Sequence, residues 1–151
     1  MRLALHAPDI AGNVGTLIRT ATCFGIAVDL IEPMGFPYSD RALARSAMDY
    51  AALAEVVRHA DWDVFRAATP GRIVLATTAG AIPLPDMAFR PDDVILLGSE
   101  GAGVPPMVHD AADIRVRVPM RPGVRSLNVA ITGGILMAEA RRQTGWGRIA
   151  D

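Results

Sequence analysis

A chain of 151 residues, 51% hydrophobic and 21% charged, has the composition of a single globular domain and not of a disordered chain. Its 15 basic residues are all arginine, which excludes phosphate-loop, Schiff-base and general-base lysines. A net charge of −1 excludes a protein that is basic throughout, so any nucleic acid must be met by a local arginine patch.

The first predicted element is a strand from Arg2 to Ala7, where apolar residues alternate. Met1 to His6 meets Pro8 and Asp9 too early for a signal-peptide core, and no apolar run approaches about 18 residues. A cytoplasmic protein with no membrane span is expected. Asp9 and Gly12-Asn13 open a helix whose apolar face is Val14, Leu17, Ile18 and Ala21, and Gly25 stops it. The lone cysteine, Cys23, excludes an internal disulfide and is expected on the inner face of this helix. Ala27 to Ile31 is a second strand, ended by Pro33. Ser39 or Asp40 caps a short helix through Ala47, with Arg41 and Arg45 one turn apart. Residues 51–59 read both ways: the alanines favour helix, while Val56-Val57 suits the start of a strand. Asp61 starts a further helix that Pro70-Gly71 closes.

In the second half, Arg72 to Thr78, Val94 to Gly98 and Ile114 to Val118 are short apolar runs of the kind found in buried parallel strands. Pro83, Pro85 and Pro91 confine the segment between the first two to loop. Pro105-Pro106 begins a short helix, and a terminal helix runs from Ser126 to about Thr144, ended by Gly145. Strands alternating with helices imply an α/β fold with a mostly parallel sheet and flanking helices, a single domain over residues 1–151.

Three loop segments stand where a strand gives way to a helix. Asn13-Val14-Gly15, followed by Arg19, is the first. Gly98-Ser99-Glu100-Gly101-Ala102-Gly103-Val104-Pro105 is the second, with three glycines that let the backbone approach a ligand. Arg125-Ser126-Leu127-Asn128 is the third. Each also has a bland reading: a surface turn at Gly98, a helix N-cap at Ser126, an exposed helical residue at Asn128, a solvated arginine at Arg19. His6, His59 and His109 show no ligand spacing, and no metal is expected.

Taken together in this order, the three segments resemble the signature of the SPOUT family, knotted methyltransferases that use S-adenosylmethionine. Ile31-Glu32-Pro33-Met34-Gly35-Phe36 resembles the TrmL subgroup, which methylates the ribose 2′-hydroxyl of the tRNA wobble nucleotide, a cytidine or modified uridine. The resemblance covers nearly the whole chain and implies a C-terminal trefoil knot, which no periodicity announces. It departs from the subgroup at Ser99 to Pro105, which looks like the TrmH-type relatives and lacks a loop arginine, and at Asn128-Val129-Ala130-Ile131-Thr132. Methylation of another tRNA or rRNA site, or a non-catalytic RNA-binding module of the same fold, stays open as an alternative.

By residue, the resemblance implies catalysis by Arg19, Ser126 and Asn128. It implies cofactor binding by Ala76, Thr77, Gly98, Glu100, Gly101, Val118, Met120, Ser126 and Leu127, with S-adenosylhomocysteine as product. A guanidinium is effectively always charged, so Arg19 is better suited to stabilising an alkoxide or gripping a phosphate than to acting as a base. Glu100 is expected to orient Arg19 or to favour the sulfonium. The expected partners are tRNA and a second copy of the chain, docked through the first and last helices. Gly133-Gly134, with Ala130 and Ala138, suit a close helix approach either within the chain or between subunits.

Overall fold

The computed structural model describes residues 1–39, 50, 53–79 and 81–146. Seven strands form one sheet: β1 (Arg2–His6), β2 (Ala27–Ile31), β3 (Val56–His59), β4 (Ile73–Ala76), β5 (Ile82–Pro83), β6 (Val94–Leu97) and β7 (Ile114–Arg117). Their order is β3-β2-β1-β6-β4-β7-β5, and every described ladder is parallel. The helices are α1 (Ala11–Cys23), α2 (Trp62–Ala68), α3 (Pro106–Asp110) and α4 (Val129–Thr144).

The central strands β1, β6 and β4 are largely buried on both sides because both faces of the sheet are covered there, the usual condition of a parallel sheet. Alternate residues take opposite faces. Leu3, Leu5, Leu30, Val74, Ile95 and Leu97 pack under α1 and α4, with Leu17, Ile18, Leu136 and Met137. Ala4, Ile31, Ile73, Leu75 and Leu96 pack under α2 and α3, with Trp62, Phe65 and Val108. Neighbouring β1 and β6 mark where the strand order changes direction. In open parallel sheets the crevice beyond the carboxyl ends of such strands is where ligands bind.

The α1 and α4 helices lie against each other. A Cβ at Gly133 would come within 2.4 Å of Leu17 Cδ2 and 2.9 Å of Leu97 Cδ1, whereas one at Gly134 would meet nothing within 4 Å. Gly133 therefore serves packing within the chain, and Gly134 faces outward. At the far end Arg141 donates to the carbonyls of Phe24 (2.9 Å) and Gly25 (2.7 Å), tying α4 to the close of α1.

Three expectations need correction, and one open reading is resolved. Cys23 is exposed, since it lies two residues past Ala21 and so on the opposite side of α1 from the buried face. The proline-rich segment is not all loop. Ile82-Pro83 pairs with Val116-Arg117, and Leu84–Asp86 forms a 3₁₀ turn. Proline is tolerated in β5 because it is an edge strand. The ambiguous stretch contains strand β3, held by pairing with Val28 to Ile31. The terminal helix starts at Val129, not Ser126. Its N-cap is Asn128, whose side chain accepts from the amides of Ala130 (2.8 Å) and Ile131 (3.2 Å). The helix expected from Ser39 or Asp40 to Ala47 falls outside the described residues.

Candidate active site

A cleft of about 490 Å³ opens at the carboxyl ends of β6, β4 and β7. Its walls come from three places. Ala76, Thr77 and Thr78 follow β4. Leu97, Gly98, Ser99, Glu100 and Gly103 follow β6. Val116, Val118 and Met120 run out of β7. The N-terminal regions of α1 (Ile10, Asn13) and α4 (Ser126 to Val129, Thr132) close it. Apolar walls with a few convergent polar groups, at this volume, suit a nucleoside-sized ligand.

The loop after β6 is held in one shape by its own backbone. Ser99 and Gly103 exchange two hydrogen bonds, of 2.9 and 3.0 Å. A Cβ at Gly98 would lie 2.4 Å from the Gly103 carbonyl carbon, so only glycine allows this closure. Ala102 N–H also donates to Ser99 Oγ at 3.2 Å.

A chain of polar contacts ties this loop to both helix starts. Asn128 Nδ2 donates to Asn13 Oδ1 (3.1 Å), and Asn13 Nδ2 donates to Glu100 Oε1 (2.8 Å). Glu100 Oε2 accepts the Asp9 amide (2.8 Å), and Asp9 Oδ2 accepts the Gly101 amide (3.2 Å). Each side-chain amide is fixed at both ends, which sets its orientation. Asn128 is thus at once the cap of α4 and an anchor of the cleft, and its carboxamide is immobilised there. Glu100 leaves a carboxylate on the cleft wall, which favours a cationic ligand group.

The structure gathers most of the residues the resemblance singled out. Ala76, Thr77, Gly98, Glu100, Val118, Met120, Ser126, Leu127 and Asn128 all line the cleft. Gly101 does not; its amide is turned to Asp9. Arg19 does not either. It sits on the exposed strip of α1 with Gly12, Thr16 and Cys23, its guanidinium 5.2 Å from the centre of the Tyr50 ring. Glu100 does not orient Arg19: its oxygens are engaged by Asp9 and Asn13, and Arg19 lies about 9 Å further along the helix than Asn13. Asn13 was legible as part of the first motif but had no assigned role. Thr78 and Thr132 carried no signal, since only the packing of distant loops places them here.

Among the described residues no group of three or more His, Cys, Asp or Glu is arranged to hold a metal ion, and no helix is long and apolar enough to cross a membrane.

Fold and cleft together define an α/β protein with a nucleoside-type site at the carboxyl edge of a parallel sheet. Comparison with known proteins narrows the class. Residues 1–138 match the model of the SpoU rRNA Methylase family, and the chain belongs to that family. It is 49% identical over 148 residues to a tRNA (cytidine(34)-2′-O)-methyltransferase of Ancylobacter novellus, covering 96% of this chain and 94% of that one. The protein of the same name from Escherichia coli K12 is 34% identical over 149 residues, covering 97% and 95%. A solved structure described as giving insight into 2-OH methylation of C/U34 on tRNA matches with a TM-score of 0.90 at 34% identity, over 94% of both chains. An AdoMet-bound rRNA methyltransferase from Sinorhizobium meliloti matches with a TM-score of 0.83 at 30% identity, over 93% of this chain and 55% of that one.

Proposed function

We propose that this chain methylates the ribose 2′-hydroxyl of nucleotide 34, the wobble position of tRNA, using S-adenosylmethionine. The observation that carries the reading is the convergence of the Gly98–Gly103 loop, Met120 and Ser126–Asn128 on one cleft, braced by the Asn128–Asn13–Glu100 contacts. Its support from outside the cleft is a set of relatives that share the reaction in their names across nearly the whole chain.

The cleft fits the cofactor by its chemistry. Leu97, Val116 and Val118 offer an apolar floor for an adenine, and the backbone around Thr77, Val118 and Met120 offers polar partners at its edge. Glu100 supplies negative charge for a sulfonium. When bound, the cofactor supplies an electrophilic methyl group that needs no metal. The protein's tasks are to align a ribose oxygen with that methyl, exclude water and favour loss of the hydroxyl proton. On this reading Ser126 and Asn128 orient the ribose, and Arg19, supplied by the second copy of the chain, stabilises the alkoxide as it forms.

Arg19 lies outside its own cleft, so the reading includes a homodimer through α1 and α4. Arg19 then stands on the surface offered to the partner and serves the partner's cleft. Exposed Ile10 and Ile131, and the open side of Gly134, lie on the same two helices or at their starts and suit such a contact. The reading also carries a trefoil knot in the C-terminal half and a cytoplasmic location, where tRNA is found. Methylation of an rRNA site is the second reading, favoured by the family's name and by the rRNA methyltransferase neighbour.

Calorimetric titration with S-adenosylmethionine in the presence of chelator tests the cofactor arm, and light scattering tests the dimer. Folded protein that binds no cofactor at millimolar concentration removes the enzyme reading. A monomer at micromolar concentration removes the shared site.

A further inference from the structure

From Ile114 to Ala138 the chain carries no carboxylate, yet it holds Arg115, Arg117, Arg121 and Arg125 in a protein of net charge −1. The four are not equivalent. Arg115 is committed inside the chain, donating to the His109 carbonyl at 2.8 Å. Arg117 is exposed, and among the described residues its side chain donates to the Ala81 carbonyl alone, at 3.4 Å. Arg121 and Arg125 are exposed, and their side chains have no hydrogen-bond or ion-pair partner among the described residues.

The backbone between the last two is specified. Val124 N–H donates to the Arg121 carbonyl at 3.5 Å, Pro122 takes the second position of the turn, and Gly123 takes the third with φ +91°. That is the residue order of a type II turn, whose third position needs glycine. The turn sets Arg121 and Arg125 on its two limbs. Met120 and Ser126, the residues just outside them, both line the cleft. Two unpaired guanidinium forks therefore stand on the rim of the cleft, on a loop stiffened by Pro119 and Pro122. An arginine placed only for solubility is usually interspersed with carboxylates, which are absent here.

We propose that the Arg121–Arg125 turn, with Arg117 at its base, grips the phosphates of the RNA strand on either side of the target ribose. This rests on the functional reading above and extends it from the cofactor to the substrate. A guanidinium presents paired donors that match phosphate oxygens, and such contacts fix register without reading sequence. The turn thus delivers the ribose into the cleft, while nucleotide identity is read elsewhere.

The test is RNA binding by the full-length protein across a range of salt, using unmethylated tRNA and filter binding. The variants are Arg121→Gln/Arg125→Gln, the matching double lysine variant, and Arg90→Gln as an exposed arginine beside β6's opposite end. Each lost phosphate contact lowers the slope of log affinity against log salt by about 0.7 for a single strand, so the double glutamine variant drops it by about 1.4. Its Kd for tRNA rises about tenfold or more at moderate salt. Its cofactor affinity and thermal midpoint stay those of wild type, the lysine variant recovers the slope, and Arg90→Gln changes neither quantity. An unchanged slope in the glutamine variant overturns the proposal, as does an equal loss in Arg90→Gln. Wild-type protein that binds tRNA without methylating it defeats the functional reading, and the slope still decides the role of the turn. Wild-type protein that binds no RNA overturns both.

Discussion

Two clefts of similar size flank the sheet. The one beside β2 and β3, about 550 Å³, is lined by Arg2, Asp29 and His59, and these groups are already committed to one another. Asp29 is 1% exposed, accepts from Arg2 Nε at 2.6 Å and lies 2.8 Å from His59 Nε2. The Arg2 guanidinium beside Asp29 is held above the usual arginine range by that hydrogen bond. The cleft at the carboxyl ends of β6, β4 and β7 differs from it at the rim. Its Asn13, Glu100, Asn128 and Ser99 side chains are also bonded within the chain, but Ser126 and the guanidinium groups of Arg121 and Arg125 on its rim lack side-chain partners among the described residues. Volume alone does not separate the two. Polar groups satisfied within the chain stabilise the fold and offer little to a ligand, whereas groups left open offer binding energy. Substitutions of the rim arginines should therefore alter activity without stability, and substitutions in the Arg2–Asp29–His59 cluster stability without activity.

The largest expected effect is on activity. Arg19→Ala should lower methyl transfer by about 10²–10³-fold or more, with cofactor affinity unchanged, as measured by single-turnover transfer to unmethylated tRNA. Mixing Arg19→Ala chains with Asn128→Ala chains should restore about a quarter of wild-type activity, because random pairing leaves one intact site in half of the dimers. Near wild-type turnover by Arg19→Ala alone would mean that it is a solvated surface arginine.

At the paired cleft, Asp29→Ala should cost about 3–5 kcal/mol in urea unfolding, because it leaves Arg2 and the buried His59 without their carboxylate. Its cofactor affinity, measured where the protein is still folded, should match wild type. A loss of cofactor affinity would show that the two clefts are not independent.

The adjacent glycines of α4 make a sharper pair. Gly133→Ala should destabilise by about 1–3 kcal/mol, because Leu17 and Leu97 must move. Gly134→Ala meets open space within its own chain and should stabilise the helix of the dissociated chain by about 0.5–1 kcal/mol. Equal effects would refute the assignment of Gly133 to packing within the chain.

The smallest effect is on acid stability. Hydrogen bonds from Arg142, then Gln143, lower Glu139 to about 2 from its ordinary 4.5. A depressed carboxylate stabilises the fold above pH 4.5 and loses that contribution as pH falls through about 2. Glu139→Gln should therefore flatten part of the acid limb of a stability profile and leave neutral pH little changed.

Much of this was legible in the sequence because it is local. Leu3-Ala4-Leu5 and Val94 to Leu97 declare buried strands as short apolar runs, and Val14, Leu17, Ile18 and Ala21 declare the inner face of α1. What failed depends on distant partners. Ile82-Pro83 is a strand only because Val116-Arg117 lies beside it. Ser126 and Asn128 are both good caps by residue type, and Asn128 takes the role while also bonding Asn13, 115 residues away in sequence. Gly133 and Gly134 are identical as letters and differ only in what faces them. The loop residues of the cleft were marked by motif, but the separation of Arg19 from that cleft is a matter of helix phase and packing, which no motif states.

The central claim is tested most directly by locating the product. Purified protein, unmethylated tRNA and labelled S-adenosylmethionine are incubated with chelator, and the modified RNA is mapped by nuclease digestion and mass spectrometry. The account predicts a single methyl group on the 2′-oxygen of nucleotide 34, absent with Arg19→Ala. A methyl group on a base, or on the ribose of any other nucleotide, would contradict it.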